Sequence, residues 1–219
     1  MNPLENVIGA AQIASLLILS PLLRSRYNRW GASEAEIQKT LPGDELVPDP
    51  LLGYTHAISI SAPPTDIWPW LAQIGQGRGG LYSYDGLENL AGCKIQSADT
   101  ILPEHQSPNP GDLIRLGPQG YPCFSITAIE NGKALVLVSA DPNTGEPVND
   151  KPKTEKSYSI ASWQFVLEPE DTQSTRLLVR QRLAYSPDMA WVWRLTEPIN
   201  FVMERKMMLG VKHRVENKS

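Results

Sequence analysis

Between Glu197 and Val215 the apolar residues Ile199, Val202, Met203, Met207, Gly210, Val211 and Val215 recur at three- and four-residue steps. Glu204, Arg205, Lys206, Lys212, His213 and Arg214 fall elsewhere on the wheel, which gives one apolar stripe with a charged back. Thr196 is placed to cap the first turn and Pro198 to sit inside it, where its missing N–H costs nothing, while the basic residues gather at the C-terminal end where the helix dipole favours cations. About nineteen residues at 1.5 Å each span roughly 28 Å, enough to cross a small domain. The rest of the chain has to supply a cover for that stripe.

The cover is legible upstream. Tyr54, His56, Ile58 and Ile60 alternate with Thr55, Ala57 and Ser59, the period of a half-buried strand. Further strand patterns run over Asp112 to Leu116, Cys123 to Glu130, Lys133 to Ala140, Ser159 to Glu168 and Arg176 to Tyr185. Asn131-Gly132 joins two of them with the residues a type I′ turn wants, so those two are antiparallel neighbours. In the last two strands Trp163, Phe165 and Leu167 share a face, as do Leu177, Val179, Gln181, Leu183 and Tyr185, and Arg176, Arg180 and Arg182 point the other way.

Between the first strand and the others lie two helical patterns. One lies in SAPPTDIWPWLAQIG, where the strand runs into a helix with Ser61 or Thr65 as cap and a kink expected at Pro69; the other lies around Asp85 to Leu90 and is ended by Gly92. Residues 91 to 111 read as loop, and Asp141 to Ser157 as a polar solvent loop. Ser186-Pro187-Asp188 starts a short separate helix through Trp191 and Trp193. The order is strand, two helices, a run of antiparallel strands and a long helix, so the fold class is α+β with one curved antiparallel sheet filled by the last helix.

The N-terminal part differs. Val7 to Leu23 carries no charge, and its length of about 25 Å falls slightly short of a hydrocarbon core of ~30 Å. Arg24, Arg26 and Arg29 follow against a single Glu5 before, which would leave everything downstream in the cytoplasm, on the inner face of the membrane. A basic n-region and a small-x-small cleavage site are both missing, so a signal peptide fits poorly. Two readings stand: a membrane anchor, or a helix packed on the domain. Ser33 and Glu36 make a capping box for a short helix inside the connector. The expected organisation is an apolar helix over 1–23, a connector over 24–50 and one domain over 51–219.

Composition narrows the function. A formal charge of -4 with no basic patch excludes nucleic acid as an expected partner. Cys93 and Cys123 form no CxxC, and a reducing compartment is the simpler reading. His56, His105 and His213 lack metal-ligand spacing, so no metal is expected. Glu104-His105 reads as a surface loop pair, and no G-x-S-x-G occurs. Gly75, Gly77 and Gly80 spell G-x-G-x-x-G, but a helix rather than a strand precedes them, so they read as a turn between two helices and no nucleotide cofactor is expected.

The stretches SAPPTDIWPWLAQIGQGRGGLYSYDGLENLAG, ILPEHQ, GDLIRLGP, SWQFVLEP, TRLLVR and EPINFVMERKMMLGVKHR, in this order, resemble the SRPBCC superfamily over roughly Gly53 to Glu216. This is the helix-grip group of START lipid-transfer domains, birch-pollen-allergen-like proteins and polyketide cyclase/dehydrase-like proteins; the likeness is closest to uncharacterised bacterial members with an N-terminal apolar stretch. It implies a sheet gripping the C-terminal helix around an elongated apolar cavity for a lipid, sterol or polyketide-like ligand. The family usually has seven strands, so a strand beyond the patterns above is sought in residues 91–111 or 117–122.

The resemblance leads to a binder of a hydrophobic small molecule, lipid or isoprenoid-like, with Trp68, Leu71, Arg78, Tyr82, Trp163, Phe165, Gln181, Tyr185, Met203, Met207 and Val211 as the expected ligand contacts. The alternatives are a cyclase/dehydrase-like enzyme, in which Tyr82, Tyr84, Asp85 and Arg115 are the candidates for moving protons, and a membrane-attached interaction domain whose interior is only core. In a helix-grip fold the glycine turn at 75–80 would lie by the cavity mouth, as a gate. Arg115 reads as an exposed strand-edge residue or as a buried partner of an anion, and Glu204 as a solvated helix residue or the internal partner of such an arginine. Met189, Trp191 and Trp193 read as core or as membrane contacts.

Overall fold

The computed structural model describes residues 3–148 and 157–217. The elements are α1 (Pro3–Tyr27), α2 (Glu34–Gln38), β1 (Leu52–Ile60), α3 (Pro64–Ala72), α4 (Asp85–Leu90), β2 (Leu113–Arg115), β3 (Cys123–Glu130), β4 (Ala134–Ala140), β5 (Ser159–Pro169), β6 (Thr175–Tyr185) and α5 (Ala190–Glu216). The strands form one antiparallel six-stranded sheet in the order β1-β6-β5-β4-β3-β2, so the first strand pairs with the last. The long α5 lies along the face of that curved sheet, which is the helix-grip arrangement.

The strand register explains which residues meet α5. Trp163 pairs with Gln181, Phe165 with Val179 and Leu167 with Leu177, and on the other flank of β6 Tyr54, His56 and Ile58 face the same three positions. With side chains alternating across the pleat, this puts them all on one face, where the apolar ones join Met207, Met208, Val211 and Val215 of α5 in the main core.

The opposite face is covered as well. Arg180, 4% exposed, donates to Thr55 Oγ1, to the carbonyls of Glu36, Ile37 and Lys39, and to Asp44 at 2.7 Å. Arg182 donates to the carbonyls of Val47 and Pro48, and Arg176 pairs with Glu36, whose carboxyl is held down at about 2. The row of arginines thus fastens the connector over a second small core of Leu41, Ala57, Ala134, Val166 and Leu178. The capping box is present: Glu36 N donates to Ser33 Oγ, and Ser33 N to Glu36 Oε2. Because of this cover Thr55 and Ala57 are buried too, and β1 is not the half-buried strand its alternation suggests. Its outer edge is closed by the chain just after α1, where Thr55 N donates to Asn28 O and Ala57 N to Trp30 O.

Several local expectations are corrected. The 131–132 turn is not type I′: among the described residues positive φ occurs at Gly132 but not at Asn131, and Lys133 N donates to Glu130 O, so one left-handed residue suffices. No seventh strand occurs in 91–111 or 117–122. Neither Ser61 nor Thr65 caps α3; Pro63 does so without a side-chain hydrogen bond, since Pro64 removes one of the amides that would need one. The helix over Trp191 and Trp193 is not separate: α5 runs through Thr196 and Pro198, and Thr196 Oγ1 donates back to Val192 O instead of capping. Pro198 there leaves the Arg194 carbonyl without its helical donor, a defect that packing on both sides tolerates. The polar loop expected over 141–157 lies partly outside the described residues.

α1 packs antiparallel along α5. Glu5 meets Lys206 near one end, and Arg24 and Asn28 both bond Glu197 near the other. Tyr27 stacks on Phe201, and a Cβ at Gly9 would touch the Tyr84 ring, so this side fits closely. The other side exposes Leu4, Val7, Ile8, Ile18 and Leu22. By length and composition α1 is long and apolar enough to cross a membrane.

Candidate functional site

The apolar stripe of α5 is used in two ways. Towards the C-terminus it is packed solid: Gly210 lies against the backbone of Tyr82, and Met208, Val211 and Val215 are buried. Towards the N-terminus Val192, Thr196, Asn200, Met203 and Met207, spaced by three and four residues, face a cavity of about 660 Å³. Opposite them the sheet offers Phe124 from β3, Ala161 and Trp163 from β5, and Gln181 and Leu183 from β6. Leu81, Ser83, Glu88 and Leu116 close one side, and Pro122, Asp141, Pro142, Val148 and Tyr158 lie along another.

One polar node is built into this wall. Glu204, 5% exposed, accepts from Trp163 Nε1 at 3.0 Å and from Gln181 Nε2 at 2.9 Å through Oε2, while Oε1 lies 2.6 Å from His56 Nδ1. His56 Nε2 lies 2.9 Å from the Tyr27 carbonyl, which can only accept, so Nε2 carries hydrogen. One proton must then lie between Nδ1 and the carboxylate, shared by a buried imidazole and a buried carboxyl. Tyr54 stacks on His56, and burial with Glu204 and Glu197 nearby pushes its phenol well above the usual range.

Glu88 differs from Glu204. It is 7% exposed, it lines the cavity, and its Oε2 has no hydrogen-bond partner. Burial, with Asp85 one turn away adding its charge, pushes the carboxyl up to about 8, so at neutral pH it carries its proton. Trp193, also on the lining, has its buried Nε1 without a hydrogen-bond partner. Cys123 also lines it, but burial pushes its thiol up and Sγ donates to the Ala140 and Asp141 carbonyls, so it is no nucleophile.

Of the residues singled out in the sequence, the structure brings Trp163, Gln181, Met203 and Met207 to the cavity. Leu71, Phe165 and Val211 are core, Trp68 packs partly buried against that core, and Tyr185 stacks on Trp193 behind the lining. Tyr82 is buried with its hydroxyl donated to Trp70 O, and its phenol is pushed up by burial. Tyr84 lies under α1 with its hydroxyl towards Gln12 and Lys206 over its ring. Asp85 is occupied by the amide and hydroxyl of Ser97. Arg78 donates to Ala72 O, and Arg115 reaches Pro142 O at 3.5 Å because Ile114, not Arg115, takes the core side of β2.

The glycine turn is closed: Gly75 and Gly80 exchange both backbone hydrogen bonds and Gln76 N donates to Arg115 O, and none of these residues lines the cavity. The sequence reading missed Glu88 and Trp193 as lining residues and His56 as the partner of Glu204; His56 on an otherwise apolar strand face was the available signal. A second cleft of about 550 Å³, between the end of α1 and strands β1 and β6, is edged by Arg24, Arg29, Arg180 and Arg182. All four guanidinium groups are already engaged, by Glu197, Glu34, Asp44 and the Val47 and Pro48 carbonyls, so the larger cavity is the candidate site. Among the described residues no cluster of His, Cys, Asp and Glu could hold a metal ion.

No family model matches the sequence, and no curated protein matches it. Several solved structures align with most of the chain at low identity. Protein MLL2253 from Mesorhizobium loti is 16% identical, with 75% of this chain and 98% of that one covered at a TM-score of 0.41. Truncated norcoclaurine synthase from Thalictrum flavum is 11% identical, with 77% and 95% covered at 0.39. Ara h 8.0201 is 12% identical, with 76% and 99% covered at 0.40. Likeness at this level says nothing about what the chain does, which has to be read from the cavity.

Proposed function

We propose that this protein binds an apolar small molecule, of lipid or isoprenoid size, between the sheet and the N-terminal half of α5. The observation that carries the reading is a cavity of about 660 Å³, lined mostly by apolar side chains, beside an otherwise close-packed core. That volume lies inside the range of small-molecule sites, and a few oriented polar groups on a greasy wall are what such sites use for specificity. Met203 and Met207 give the wall adaptable surface. Organic extraction of the purified protein, followed by mass spectrometry, is expected to release one compound in near-stoichiometric amount. Met203→Trp, which fills the cavity, should release none while remaining folded. An empty wild-type extract with no thermal shift across a lipid panel would sink the reading.

Acid–base chemistry of the cyclase/dehydrase kind in the same cavity is a second reading, favoured by Glu88, a protonated and unpartnered carboxyl on the lining. The same spectra separate the two: incubation with ligand-free protein would lighten the compound by one water or rearrange it, whereas a binder returns it unchanged.

α1 is further assigned to the cytoplasmic face of a membrane, lying in the interface with Val7, Ile8, Ile18 and Leu22 towards the acyl chains. Its packing along α5 leaves Val7, Ile8, Ile18 and Leu22 exposed, and the exposed Arg26 of the last turn suits an anionic surface. The full chain should float with anionic vesicles and the double variant Ile18→Asp/Leu22→Asp should not; equal flotation of both removes the assignment.

A further inference from the structure

Among the described residues, the acid and base groups on the cavity wall are all acids. Glu88, Asp141 and Glu204 line it, and among the described residues no Lys, Arg or His is on the lining. Glu204 is saturated by His56, Trp163 and Gln181, and Asp141 is turned to the amides of Asn143 and Thr144. Glu88 is the exception, nine-tenths buried with Oε2 unpartnered. An unpaired carboxyl in an apolar wall is costly for the folded protein unless something bound completes it. The rings of Phe124, Tyr158, Trp163 and Trp193 share the same lining, and aromatic faces attract cations. A carboxylate or phosphate entering here would shed its water and meet no positive charge among the described lining residues, whereas an ammonium group would meet a carboxyl group and ring faces.

We propose that the occupant of the cavity is an apolar molecule bearing a basic nitrogen, received by the Glu88 carboxylate, and that lipids with carboxylate or phosphate headgroups are excluded. This rests on the apolar-ligand reading given above. Among the described residues the titratable groups acting on Glu88 are Asp85 on its own helix and the Cys93 thiol just beyond it, and neither is a cation that would compete for the carboxylate. Because the free carboxyl holds its proton at pH 7, taking up an alkylammonium ion leaves a carboxylate–ammonium pair and sends one proton to the buffer.

The test uses ligand-free full chain at pH 7 and three ten-carbon probes, decylamine, 1-decanol and decanoate, in calorimetry repeated in two buffers of different ionisation enthalpy. Decylamine is expected to bind about tenfold or more tighter than decanol, with decanoate weakest, and to release close to one proton where decanol releases none. Glu88→Gln should abolish the preference, so that the variant binds decylamine no tighter than it binds decanol. Decanoate binding as well as decylamine overturns the proposal, as does an amine preference that survives Glu88→Gln; absence of proton release from the wild type overturns it even if the variant does not fold. Decanol binding with no preference for the amine defeats the proposal alone, whereas binding of none of the three defeats the apolar-ligand reading with it.

Discussion

Gly210→Ala is expected to destabilise the protein, although the same change in an exposed helix stabilises by ~0.8–1 kcal/mol. A Cβ at position 210 would fall well inside contact with the carbonyl oxygen of Tyr82 and lie 3.0 Å from its Cβ. Tyr82 cannot retreat easily. Its φ of 55° is one few side chains adopt, its amide donates to Ser97 Oγ, its hydroxyl donates to Trp70 O, and Arg214 sits over its ring. The helix must therefore shift out of the sheet. Forced overpacking of this kind costs about 1–3 kcal/mol and occasionally more, so a net loss of about 2 kcal/mol should lower the melting temperature by roughly 4–8 °C. A melting temperature equal to or above wild type would show that α5 does not lie so close to Tyr82.

The second large effect is expected at Glu204. Glu204→Ala strands Trp163 Nε1, Gln181 Nε2 and His56 Nδ1 together, and breaking a buried ionic or hydrogen-bonded group in this way costs about 3–5 kcal/mol. Glu204→Gln is the informative companion. Its carbonyl can still accept from Trp163 and Gln181, and its amide can donate to His56 Nδ1 while Nε2–H stays on the Tyr27 carbonyl. It should therefore hold most of the stability while losing the shared proton. Urea midpoints for the two variants check this: equal losses would mean that the node is held by charge rather than by hydrogen-bond geometry.

These two residues also mark where the sequence is readable. The stripe on α5 and the alternation in β3 to β6 are local patterns, and the strands they predict lie within a residue or two of those observed. Gly210 on the stripe looks the same from sequence whether it borders a cavity or presses on backbone, because the difference lies in where Tyr82 is held, some 128 residues earlier in the chain. Glu204 was visible as a charge near the stripe, but its partner is a histidine in β1, not an arginine in β2. Pro198 misled for a related reason: its preference for a first turn is local, and the packing of α1 against Glu197 carries the helix through it. Glu88 gave no signal of its own, since a glutamate in a six-residue helix is ordinarily solvated, and only the fold turns it inward.

The short stretch after α1 has a further consequence. By giving the carbonyls of Asn28 and Trp30 to the amides of Thr55 and Ala57, it occupies hydrogen-bonding groups that an edge strand would otherwise offer to any passing chain. β1 is long and rich in residues of high β-propensity, the composition from which intermolecular sheets grow. Residues 28–30 thus act as a guard against self-association, and any version of the chain that lacks them carries a sticky margin along β1.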